Sequence, residues 1–148
     1  MDTLSHVRLK AQLMRHEGAK KNAAGRHIAY VDTVGKTTIG FGRNISDVGL
    51  STAEAGMLLS NDIDEREQAL TAALPWFAAL DDIRQRVLID MAFMGVPKLL
   101  LFARMLAAAA AKDYATAAKE MLDSTWARQV GARATELAAM MRDGMETA

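Results

Sequence analysis

With 148 residues, 51% of them hydrophobic, the chain is long enough to build a core, as one domain or two small lobes, and too apolar to be disordered. It has no cysteine, which excludes a disulfide framework, a thiolate nucleophile and a thiolate metal site. Its 18 Lys and Arg balance 18 Asp and Glu, so net charge points neither to a nucleic-acid partner nor to long-range steering of polyanions.

The N-terminal stretch carries charges throughout and has no continuous apolar segment, unlike a signal peptide or membrane anchor, and no run approaches the ~20 apolar residues of a bilayer span. A protein made in the cytoplasm without a membrane partner is expected. Asp2 or Thr3 can cap a first helix with Leu4, Val7, Ala11 and Met14 at helical spacing. That helix delivers Glu17 at its end, where Gly18 stops it. Residues 19–27, AKKNAAGRH, read as a polar loop whose Lys20, Lys21, Arg26 and His27 are either solvated or in contact with anionic substrate.

Two β-forming runs, 28–31 and 37–41, flank Thr33-Val34-Gly35-Lys36 and predict an antiparallel hairpin. Gly40 and Gly42 flank Phe41 without the Lys-Ser/Thr of a phosphate loop, so they are read as sites of close backbone approach. Ser51 and Glu54 form a capping-box pattern ahead of a long helix that Pro75 ends, predicted over 51–74. Beyond it the pattern is helical. Asp81 or Asp82, Asp113 and Ser124 open helices, residues 98–111 read as one apolar, Ala-rich buried helix, and a last helix spans 132–142 before a frayed tail at 145–148. At least one of Trp76 and Trp126 is expected in the core, with the ten methionines filling its irregular gaps.

Two carboxylates stand out. Cleavage of a glycosidic bond needs one carboxyl group that donates a proton to the leaving oxygen and one ionised group that activates water or stabilises the oxocarbenium-like centre. Glu17 at a helix end and Asp32 at a strand end provide such a pair, although the spacing is also met by two solvated surface carboxylates. The three histidines lack a ligand spacing for zinc, no nucleophile-elbow motif supports a hydrolytic triad, and no metal or cofactor is expected.

The wording around these residues, HEG, AYVDTVG and TTIGFGRN, resembles the phage lysozymes of glycoside hydrolase family 24. The likeness continues through RQRVLIDMAF, FARML and DSTWARQVGARA, and so covers nearly the whole chain. It implies an α+β, mainly α fold, with a small hairpin-bearing lobe at about 18–60 and a larger helical lobe from 1–17 and 75–148, joined by the long helix. It also implies a muramidase, one that inverts, acting on bacterial peptidoglycan as a monomer. Residue by residue, the resemblance makes Glu17 the general acid, Asp32 and Thr38 the groups that hold the attacking water, and Arg133 a support paired with Glu17. It further implies an Arg43–Asp62 ion pair tying hairpin to helix.

Phe93 either lines the substrate cleft or belongs to the core. Two departures stand inside the resemblance: the 19–27 link is longer than the family's, and Met94 follows Phe93 where the family places a side-chain amide. They motivate an alternative, a lysozyme-like protein that holds glycan without cutting it.

Overall fold

The structure is a computed structural model that describes residues 1–147. It is mainly helical with one small antiparallel sheet, in agreement with the expected α+β class. By their contacts, residues separate into two units, Met1–Met57 and Leu58–Ala148.

In the first unit, α1 (Thr3–Glu17) begins where the Asp2 side chain accepts the Ser5 amide at 2.8 Å and ends at Gly18, whose φ is 63°. None of its residues is buried, and Leu4 and Val7 are exposed. The 19–27 segment is more ordered than a bare loop: Lys21 and His27 form an antiparallel bridge, and Asn22 closes the turn by accepting the Arg26 amide at 3.0 Å. The sheet follows as β1 (Tyr30–Val31), β2 (Thr37–Ile39) and β3 (Arg43–Asn44), in that order. Register pairs Tyr30 with Thr38 across β1 and β2, and Thr38 with Asn44 across β2 and β3. The expected hairpin is therefore the first half of a three-stranded sheet, because Gly40 and Gly42, with φ of 66° and 83°, turn the chain back once more.

The long helix, α2 (Thr52–Ala73), crosses the boundary between the units. Its capping box is formed reciprocally: Ser51 Oγ accepts the Glu54 amide at 3.2 Å, and Glu54 Oε2 accepts the Ser51 amide at 2.8 Å.

In the second unit, α3 (Asp82–Met91) is capped by Asp81, α6 (Tyr114–Leu122) by Asp113 and α7 (Thr125–Val130) by Ser124, while α8 (Ala132–Asp143) stops at left-handed Gly144. Residues 98–111 are not one helix. They divide into α4 (Val96–Leu99) and α5 (Ala103–Ala110), with Phe102 in a non-helical conformation at ψ 57° and Leu101 81% exposed between them. The break lets Leu99 and Met105 both reach the core, which a straight helix of this sequence would not arrange with Leu101 in water. Helix α6 packs on α5 and α8, and α3 and α7 also pack on α8. All the buried apolar residues lie at Leu70 or later, among them Phe77, Leu88, Met91, Met105, Met121, Trp126 and Met141. The tail does not fray at once: Glu146 pairs with Arg86, and the Thr147 hydroxyl donates to Glu136 at 3.0 Å; residue 148 lies outside the described residues.

Candidate active site

The first unit brings three of the residues named from sequence onto one framework. Asp32 closes the β1–β2 hairpin. Its Oδ1 accepts the Val34 amide at 3.0 Å and the Lys36 amide at 2.8 Å, while its own amide donates to the Lys36 carbonyl at 2.9 Å. Gly35, with φ of 83°, takes the left-handed position that the short loop demands. The turn thus fixes the carboxylate and uses only one of its two oxygens.

Thr38, two residues beyond Lys36, is the one buried polar side chain among the described residues, at 4% exposure. Its hydroxyl donates to the Lys36 carbonyl at 3.2 Å. With its proton so engaged, the oxygen retains lone pairs for accepting a further hydrogen bond.

Glu17, at the C-terminal end of α1, rests against the turn between β2 and β3. A Cβ added to Gly42 would lie 2.9 Å from Glu17 Oε2 and 3.4 Å from its Cδ. Gly42 precedes Arg43, which pairs with Ile39, and Ile39 adjoins Thr38. One small sheet therefore carries the seat of Glu17, the Thr38 hydroxyl and, through the hairpin, the Asp32 carboxylate. Beside it, His27 meets Phe41 edge to face with ring centroids 4.9 Å apart.

Each supporting residue has an ion-pair partner within its own unit. Arg43 pairs with Glu54 and also reaches the Gly49 carbonyl at 3.5 Å. Glu54 lies in the first turn of α2, whereas Asp62 is eight residues, about 12 Å, farther along the helix. Asp62 pairs with Arg66 one turn on, at 3.5 Å. Within the second unit Arg133 is engaged by Asp90, with Nε at 2.9 Å from Oδ1 and a further bond to the Asp90 carbonyl at 3.2 Å.

Phe93 is neither core nor bare surface. The Arg66 guanidinium lies 4.0 Å from its ring centroid, a cation–π contact, and the ring is 36% exposed. Phe93, Asp90 and Arg133 line one cavity of about 570 Å³ in the second unit, together with Ile63, Ile89 and Leu137. Glu17, Asp32 and Thr38 are not among its lining.

Asp90 and Arg66 were missed in the sequence, whereas the close approach expected at Gly42 is made by Glu17, a neighbour the pattern did not name. Arg66 carried a signal in its spacing of four from Asp62, the interval at which helical charges meet. Glu54 was read only as a cap, although one carboxylate here serves both Ser51 and Arg43.

Among the described residues no group of three or more His, Asp or Glu is placed to hold a metal ion, and no helix is long and apolar enough to cross a membrane. A comparison with curated proteins finds no match. The family model for phage lysozyme matches residues 16–142, most of the chain, beginning one residue before Glu17. The chain belongs to the phage lysozyme family, whose enzymes hydrolyse bacterial peptidoglycan.

Proposed function

We propose that this chain is a muramidase that cuts the β-1,4 bond between N-acetylmuramic acid and N-acetylglucosamine, with the whole chain acting as one lysozyme domain. The observation that carries the reading is the gathering of Glu17, Asp32 and Thr38 onto one small sheet inside the region matched by the family model.

Glu17 donates its proton to the glycosidic oxygen as the bond to the anomeric carbon breaks. A water attacks that carbon from the opposite face. The Asp32 oxygen left unused by the hairpin takes the water's proton, and Thr38 Oγ1 accepts its second hydrogen while still donating to the Lys36 carbonyl. Such an attack inverts the anomeric centre and calls for carboxyl groups about 6.5–9.5 Å apart, with room for the water. Phe93 offers a face to sugar, and Arg133 and Asp90 form a charged rim beside it. The protein acts on the cell wall as a monomer.

Clearing of a peptidoglycan suspension by the parent and by Glu17→Gln, both shown folded by circular dichroism, tests the proposal. Loss of a general acid should lower the rate about 10²–10⁴-fold. The first anomer released, followed by proton NMR, should be α. Equal clearing by both proteins would remove Glu17 from the mechanism. Retention of glycan by both without any turnover would favour a binding protein.

A further inference from the structure

The Glu17 carboxylate has no hydrogen bond or ion pair within the protein among the described residues, and its side chain has three rotatable bonds at the end of an exposed helix. Its close neighbour is the bare α-carbon of Gly42, where an added Cβ would meet Oε2 at 2.9 Å, Cδ at 3.4 Å and Cγ at 3.7 Å. These three nearest atoms all belong to Glu17. A real Cβ does not approach an oxygen so closely, so any side chain at this position moves the carboxyl group.

Gly40, two residues earlier, supplies an internal comparison. Its φ is 66° against 83° for Gly42, so both positions carry the left-handed penalty for other residues, yet a Cβ at position 40 would meet nothing within 4 Å. The two glycines share a backbone requirement and differ in the contact.

We infer that Gly42 is a positioning residue for the proton donor: its missing side chain leaves open the space that the Glu17 carboxyl group occupies. The inference rests on the reading of Glu17 as the acid. A displacement of about 1 Å in a catalytic group is enough to lower a rate 10²-fold, and it acts on the chemical step while leaving sugar contacts elsewhere intact.

The experiment compares Gly42→Ala, Gly40→Ala, Glu17→Gln and the double variant Glu17→Gln/Gly42→Ala on a soluble peptidoglycan fragment, with melting temperatures for each. Gly42→Asn is added because Asn enters the left-handed region more readily and carries the same Cβ, so it stays informative if the alanine variant fails to fold. Gly42→Ala and Gly42→Asn should lose about 10- to 100-fold in kcat with KM unchanged, whereas Gly40→Ala keeps the parent kcat despite a similar fall in melting temperature. In the double variant, the change at position 42 should cost nothing beyond the loss already caused by Glu17→Gln. A folded Gly42 variant with the kcat of Gly40→Ala would overturn the inference, as would an undiminished effect of Gly42→Ala in the Glu17→Gln background. Full activity of Glu17→Gln is a separate result and removes the acid assignment itself.

Discussion

At Thr38 a structural hydrogen bond and the proposed chemical role meet in one side chain. Its hydroxyl is buried and bonded to the Lys36 carbonyl, so the group that fixes the β2 end of the hairpin is also the one we propose accepts from the attacking water. Thr38→Val keeps the shape and removes the oxygen. It should cost about 1 kcal/mol in stability, near the net value of one hydrogen bond, while peptidoglycan clearing falls far more steeply. Thr38→Ser, retaining the oxygen, should recover most of the clearing rate; a serine variant as inactive as the valine would deny the hydroxyl its role. At this scale the sequence marks candidate residues more clearly than it marks their partners. Glu17, Asp32 and Thr38 sit in distinctive local words. The pairing of Arg43 with Glu54, and of Arg133 with Asp90, depends on which carboxylate tertiary packing brings within reach, and no local pattern encodes that.

Helix starts are the elements best encoded locally. Asp2, Ser51, Asp81, Asp113 and Ser124 each precede a helix and each accepts a backbone amide three residues on, a contact complete within four residues of chain. The α4–α5 break was illegible for the opposite reason: residues 98–111 favour helix throughout, and the break follows from where the core needs Leu99 and Met105.

The caps also set the response to acid. Hydrogen bonds from the Ser5 amide hold Asp2 below the ordinary carboxylate range, bonds from Ser51 and then the charge of Arg43 do so for Glu54, and bonds from Thr116 do so for Asp113. At Asp81 burial pulls the other way, but the bonds and charge of Arg84 outweigh it. Depressed folded-state values mean that these groups stabilise the fold above their unfolded values, near 4, and that the contribution disappears as pH falls through the lower folded values. Melting temperature should therefore begin to fall near pH 4 on acidification in scanning calorimetry. Asp81→Asn should start lower at neutral pH and lose less on the way down; a parallel shift of both curves would contradict the assignment.

Across the whole molecule, burial is uneven. The core begins at Leu70, whereas residues 1–57 contain one buried side chain, Thr38, and are held by hydrogen-bonded turns. Regions with few buried apolar contacts open first. Amides of α1 and the sheet should exchange with deuterium well before those of α3, α6 and α8; uniform protection would show that the chain opens as a single unit. The expected mixture of helix and small sheet was readable from periodicity, but this imbalance was not, because the Leu4, Val7 and Met14 stripe has the spacing of a packed helix face and stays exposed.

The methionines that fill this core also make it a chemical recorder. Met91, Met105, Met121, Met140 and Met141 are 0–6% exposed, whereas Met1, Met57 and Met145 are at least 65% exposed. Peroxide should convert the exposed thioethers to sulfoxides first and leave the core sulfurs reduced while the second unit stays closed. Each opening event gives the oxidant access to a sulfur whose sulfoxide, polar and chiral, no longer fits the site it left. Damage would then accumulate in one direction, so that the mass of the core peptides records how often the helical unit has opened since it folded.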